Sequence, residues 1–188
     1  MRAEWAYYKG HFTPEQCDQI INEGLNAPEE KGTLGPVGFR VNNEWRKNSI
    51  RGIIRSPKWA WLYLEIDKLV AQANKSWFNV DYNYLPEMQL ASYRSEEQEF
   101  YKRHQDAFLV SPTGSNRKLS FSIQLSDPST YEGSDLKFLD IGKMPNPENI
   151  RAQGSVIIFP SIVFHEVTPI TQGIRYSMVG WYEGPPWR

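Results

Sequence analysis

The sequence predicts an α+β chain, mainly β: a double-stranded β-helix (jelly-roll) core with N-terminal helices packed on one of its sheets. Two observations carry this. Residues 14–74 hold two segments whose apolar side chains recur at helical spacing. The rest breaks into short runs rich in Val, Ile, Phe, Tyr and Ser, divided by Pro, Gly and Asp. Helices first and strands afterwards put the helices on one side of a sheet pair. A length of 188 residues, with 40% hydrophobic and 14% aromatic residues, suits a single domain with a real core.

In chain order, Thr13-Pro14-Glu15-Gln16 reads as a helix start. Thr13 can cap, Pro14 fits the first helical position and Gln16 can close a capping box. Ile20, Ile21 and Leu25 then form an apolar stripe. Residues 27–48, with Gly32, Gly35, Pro36 and Gly38, read as a long irregular loop of the kind that covers a binding site. Ser56-Pro57 opens a second helix, whose Trp59, Leu62, Ile66, Leu69 and Ala73 share one face. Strands are expected over roughly 87–93, 118–125, 136–140, 154–159, 164–169 and 174–181. In the run KLSFSIQL, Leu119, Phe121, Ile123 and Leu125 point one way, toward packing between sheets. Ser120, Ser122 and Gln124 point the other way, a polar uncharged face that suits either a wet cavity or solvent.

Composition narrows the function. A net charge of −1 with scattered Lys and Arg argues against a nucleic-acid backbone as partner. The single cysteine, Cys17, rules out an internal disulfide and a Cys-rich zinc site, and reads as a small buried residue on a helix. The polar start and the lack of any apolar run of membrane length lead us to expect a soluble, cytoplasmic protein with no membrane partner.

The chemistry gathers around FYKRHQDAF. His104 and Asp106 lie two apart, so an extended backbone would present both to one point; alone, the pair fits a polar loop as well. Of the other histidines, His11 precedes the first helix and reads as a surface residue. His165 follows a β-rich apolar run and a Pro-Ser turn, as a core or a functional histidine. Two histidines and a carboxylate on a β scaffold are the donor set that holds non-haem Fe(II) with open positions; structural zinc usually takes four protein ligands. Ten residues on, Arg175 and Ser177 share a strand face. A guanidinium fork beside a hydroxyl clamps a carboxylate, whether that of a local Asp or Glu or that of a ligand.

His104-x-Asp106, His165 and Arg175-x-Ser177 together resemble the signature of the Fe(II)/2-oxoglutarate-dependent dioxygenases, in their prolyl-4-hydroxylase-like branch. Gln89-Leu-Ala-Ser-Tyr93, Phe100-Tyr101, Lys118 to Asp127, Tyr131-Glu-Gly-Ser-Asp-Leu136, Phe159-Pro-Ser161 and Arg175 to Trp181 continue the likeness in the family's order. The bacterial and phage PKHD-type hydroxylases are particularly similar. The resemblance covers roughly residues 85–183, a catalytic core, with 1–84 as helical support and lid loop in the same single domain.

What the resemblance implies is specific. His104, Asp106 and His165 would bind Fe(II). Arg175 would pair with the distal carboxylate of 2-oxoglutarate, supported by Ser177, Tyr93 and Gln124, the last standing where hypoxia-sensing relatives carry a tyrosine. Tyr101, Trp181 and Tyr131 would line the substrate site, and the stretches 27–48 and Pro128–Ser134 would cover it. Trp181 could equally close the core. Glu166 would have only a structural role. An intact Asp106 argues against halogenase chemistry, because halogenase relatives lose that carboxylate. The activity implied is hydroxylation of an unactivated C–H bond, foremost prolyl 4-hydroxylation of a peptide or protein. O2 would be consumed, succinate and CO2 released, and ascorbate would be a further ligand. A free amino acid or other small molecule is the rival substrate. A non-catalytic β-sandwich that stacks its Trp and Tyr on a sugar or peptide is the reading from a different class, and a metal-binding cupin-like protein a third.

Overall fold

The computed structural model describes residues 2–34, 41–107 and 114–187. Thr13 caps the first helix, α1 (Pro14–Gly24), with the full capping box: its hydroxyl accepts from the Gln16 N–H, and the Gln16 side chain accepts from the Thr13 N–H. The second helix begins as a 3-10 turn at Pro57–Trp59, continues as α2 (Ala60–Ala73) and ends in a π-turn at Asn74–Phe78. A short α3 (Pro147–Arg151), not foreseen, is capped by Asn146, which accepts from the Glu148 N–H. No helix of the described residues is long and apolar enough to cross a membrane.

Twelve strands form two antiparallel sheets among the described residues. In chain order they are β1 (Ala6–Tyr8), β2 (Glu30–Lys31), β3 (Arg46–Lys47), β4 (Ser49–Ile54), β5 (Glu87–Arg94), β6 (Phe100–His104), β7 (Asn116–Gln124), β8 (Tyr131–Gly133), β9 (Leu136–Leu139), β10 (Val156–Pro160), β11 (Phe164–Val167) and β12 (Ile170–Gly184). The larger sheet runs β1-β10-β7-β12-β5-β4-β2, with β8 added along β12; the smaller runs β3-β6-β11-β9. The expected fold class, jelly-roll sheets with helices on one of them, is what the chain adopts.

Two expectations need correction. The stretch 27–48 is not all loop, since β2 pairs with β4 and β3 with β6, one strand edging each sheet; residues 35–40 of it lie outside the described residues. The N-terminal part is therefore not only helical support, because β1, β2 and β4 add to the same sheet as β7 and β12. The second correction concerns β7. Its apolar residues Leu119, Phe121 and Ile123 pack against Cys17, Ile20, Leu62, Ile66 and Val70 of the helices, and not between the sheets. The helices offer the larger apolar surface. The space between the sheets is left to the polar face, where Ser120 touches Asp106 and Ser122 lines a cavity.

Candidate active site

The site is made by strand register. On the smaller sheet β6 and β11 pair with His104 directly opposite His165, which brings the two imidazole centroids to 4.1 Å. Asp106 follows β6 by two residues. Its N–H and that of Ala107 both donate to the Ser161 carbonyl in the turn after β10, which pins the carboxylate beside the histidines. Each Nδ1 faces a backbone carbonyl, Lys102 at 2.8 Å and Val163 at 3.0 Å. A carbonyl can only accept, so each Nδ1 carries a proton, and in the neutral imidazole the lone pair is then on Nε2. Those lone pairs face Asp106: Nε2 of His104 lies 3.7 Å from Oδ1 and Nε2 of His165 lies 3.5 Å from Oδ2. Three donor atoms, one per residue, all fall within 4.8 Å of one another, the compact tripod a metal ion would cap.

Packing and hydrogen bonds fix these ligands. Tyr101 stacks on His104 at 3.5 Å with 9° between the rings, Arg46 sits over Tyr101 at 4.5 Å, and Phe159 meets His165 edge-on at 4.8 Å. Ser120 donates to Asp106 Oδ2 at 2.7 Å, and its oxygen is 2.9 Å from the Ser161 hydroxyl. Burial, and then the neighbouring His165, push His104 down to about 3, so it stays neutral and able to ligate at physiological pH. Burial works against ionisation of Asp106, but His165, His104, Arg117 and the Ser120 hydroxyl together hold its carboxyl below the usual range.

Beside the tripod, on the larger sheet, Arg175 is opposite Tyr93 and Ser177 is flanked by Ala91 and Gln124. Arg175, Ser177, Tyr93, Tyr101 and Trp181 all line the cavity that holds the tripod. Arg175 is 2% exposed, and its Nη1 has no hydrogen-bond partner among the described residues. A buried guanidinium with unspent donors marks an anion's place.

Gln124 and Tyr131, read from sequence as touching co-substrate and substrate, line a second cavity, of about 510 Å3, that shares Arg175 and Leu136 with the first. The stretch Pro128–Ser134 is anchored there by β8 pairing with β12. His11 contacts Glu65 of α2 at 2.9 Å, away from the cavity. Sequence reasoning missed Arg46, which lines the tripod's cavity, and Arg117, whose guanidinium lies 3.8 Å over Trp181. It also missed the Ser120–Ser161 support of Asp106. The polar face of β7 was the signal for Ser120; nothing in the sequence marked Arg46 among the other arginines.

An antiparallel sheet pair that carries two histidines, one carboxylate and a buried arginine defines the class as a non-haem metal oxygenase scaffold. Comparison with known proteins makes this definite: the model of the 2OG-Fe(II) oxygenase superfamily matches residues 88–183, and the chain belongs to that family. A PKHD-type hydroxylase of Synechococcus sp. (strain CC9311) is 37% identical over 90 residues, 48% of this chain and 39% of the relative. One from Hyphomonas neptunium (strain ATCC 15444) is 39% identical over 66 residues, 35% of this chain and 28% of the relative. The matches thus span less than half of these relatives' length. Among solved structures, a Pseudomonas putida prolyl-4-hydroxylase superposes with TM-score 0.66 at 21% identity, covering 95% of this chain and 92% of that one. A Trichoplax adhaerens prolyl hydroxylase, in complex with a hypoxia inducible factor peptide fragment, gives 0.73 at 18% identity, covering 95% and 83%. The family implies Fe(II), 2-oxoglutarate and O2, and the donor set fits: neutral nitrogen and carboxylate oxygen for the metal, an unpaired guanidinium for a dicarboxylate.

Proposed function

We propose that this chain is a 2-oxoglutarate-dependent dioxygenase that hydroxylates a prolyl residue of a peptide or protein. The observation that carries the reading is the junction of an open His104–Asp106–His165 tripod with the unpartnered Nη1 of Arg175 in one cavity wall. His104, Asp106 and His165 would hold Fe(II), and Arg175 with Ser177 and Tyr93 would receive the distal carboxylate of 2-oxoglutarate. Bound there, Fe(II) supplies the activation of O2 that couples decarboxylation of 2-oxoglutarate, to succinate and CO2, with oxidation of a C–H bond. The chain's own residues position and shield. The Nδ1 protons donated to Lys102 and Val163 keep the Nε2 lone pairs aimed at the metal position. Ser120 holds the Asp106 carboxylate in the rotamer that closes the tripod. Phe159, Tyr101 and Trp181 give the cavity an apolar, aromatic wall that excludes bulk water and suits a pyrrolidine ring.

Support for a prolyl peptide comes from the aromatic wall together with two of the fold neighbours, which are themselves prolyl hydroxylases, one in complex with a peptide fragment. A free amino acid or other small acid is the second reading. It is favoured by Arg46, a cation in the same cavity wall that would meet a substrate carboxylate. The test has two stages. Anaerobic addition of Fe(II) and then 2-oxoglutarate should give a visible charge-transfer band, and its absence would overturn the reading. Succinate release in air, with ascorbate as reductant, should then be stimulated by proline-containing peptides. Stimulation by free amino acids alone would select the second reading.

A further inference from the structure

Gln124 is not among the residues that line the tripod's cavity, yet it holds one that is. Its Oε1 accepts from Arg175 Nε at 3.1 Å and from Arg175 Nη2 at 2.8 Å, so one amide oxygen occupies one edge of the guanidinium. Its Nε2 donates to the Tyr131 hydroxyl at 2.9 Å, which fixes which way the amide points. Tyr131 is fixed in turn by Arg151, whose Nη2 donates to the Tyr131 carbonyl at 2.8 Å and whose guanidinium lies 4.2 Å over the ring. All of these bonds lie at or beside the cavity of about 510 Å3, whose walls are otherwise mostly apolar.

The guanidinium has five N–H donors in a rigid fork, and a carboxylate takes two parallel ones from one edge. Gln124 spends Nε and one hydrogen of Nη2. The edge left is Nη1 with the second hydrogen of Nη2, and Nη1 has no partner among the described residues. Arg175 borders both cavities. Gln124 is the side chain that hydrogen-bonds the guanidinium between them, so it can fix which edge stays free.

We propose that Gln124, oriented by Tyr131, is the positioning residue of the co-substrate clamp: it blocks one edge of Arg175 and presents the other to the distal carboxylate of the 2-oxo acid. The inference rests on the functional reading above and adds a residue that never touches the co-substrate. It also predicts what an ordinary structural role would not: the contribution of Gln124 vanishes when the ligand has no distal carboxylate.

The experiment is calorimetric titration of the Mn(II)-loaded full chain, without O2, by 2-oxoglutarate and by 2-oxopentanoate, which keeps five carbons but ends in a methyl group. Gln124→Leu, close in volume but unable to accept, should weaken 2-oxoglutarate about ten- to a hundredfold, the range for losing a hydrogen bond to a charged group. Its affinity for 2-oxopentanoate should stay within about twofold of the native chain, the margin set by ordinary scatter of independent sites. Tyr131→Phe removes only the phenolic oxygen and serves if the Leu variant does not fold; it should move the same ligand in the same direction by less. Equal weakening of both ligands, or native 2-oxoglutarate affinity in both folded variants, would overturn the positioning role and leave the oxygenase reading standing. A native chain that binds Mn(II) but no 2-oxoglutarate would overturn both.

Discussion

Replacing Ser120 by Ala tests whether the tripod is held ready before metal arrives. Ser120 is 1% exposed and donates to Asp106 Oδ2 at 2.7 Å, so no water can easily take its place. Asp106 is itself 6% exposed and keeps its charge against burial with help from two imidazoles, Arg117 and this hydroxyl. A hydrogen bond to an ionised group is worth about 1.5–3 kcal/mol, and loss of such an outer partner costs roughly 10- to 100-fold in metal affinity. Ser120→Ala should therefore weaken Co(II) binding by about one order of magnitude or more, read from the visible absorption of the bound ion. Ser161→Ala, which removes only the hydroxyl next to Ser120, should cost less, because Asp106 keeps its backbone donors to the Ser161 carbonyl. Native Co(II) affinity in a folded Ser120→Ala chain would refute the claim that Ser120 orients the carboxylate.

Other outcomes follow from the same structure. His104→Ala or His165→Ala should remove Co(II) binding while the far-ultraviolet circular dichroism stays native, since both rings border a cavity; retained binding would exclude that ligand. In Gly180→Ala the added methyl would meet the Phe121 ring at 2.7 Å and Leu85 at 3.1 Å. Urea unfolding should show a loss of about 1–3 kcal/mol from overpacking, and no loss would mean that β12 and Phe121 are looser than described. Thr13→Ala should cost about 1 kcal/mol in the same assay by removing the α1 cap. Burial pushes the Cys17 thiol up to about 12, so the native chain should stay unreactive to a disulfide reagent at pH 8 until denaturant is added. Fast native labelling would contradict the packing of α1 on the sheet.

The sequence made legible what depends on local pattern. The capping box of α1, the apolar stripe of α2, the alternation in β7 and the strand-rich runs of β5 and β12 are all short-range signals, and each element stands where its residues said. The missed strands β1, β2, β3 and β8 have two or three residues each and carry no periodicity; they exist because an edge of a sheet is available to pair with, while β6, of five residues, was foreseen only as an extended stretch at His104. β4, longer at Ser49–Ile54, was hidden by Arg51 and Gly52 at its centre. In the site, residues spaced two apart could be grouped by face. Which face of β7 met the helices could not, because that choice is made by the competing apolar surface of α1 and α2. For the same reason the cavity that Tyr131 and Gln124 line could not be told from the tripod's: nothing local distinguishes the two.

The three central strands of the larger sheet explain how one pattern writes both scaffold and site. Along β12, Met178 and Tyr182 enter the helix-covered core, while Arg175, Ser177, Val179 and Trp181 alternate into the tripod's cavity. β5 does the same with Met88 and Leu90 against Ala91 and Tyr93, and β7 with Phe121 and Ile123 against Ser120 and Ser122. A slip of one residue in either pairing of β12 would drive Arg175 into the apolar core, where no partner awaits it, and Met178 into the polar cavity. The cost of that exchange makes the register of the site as strongly specified as the register of the core. The opposition of Tyr93 to Arg175, and of Gln124 to Ser177, follows from the same pairing. Gln124 is thereby set diagonally from Arg175, where its amide oxygen reaches Nε and Nη2 of the guanidinium. The pleat that builds the core thus also brings the amide within reach of the arginine.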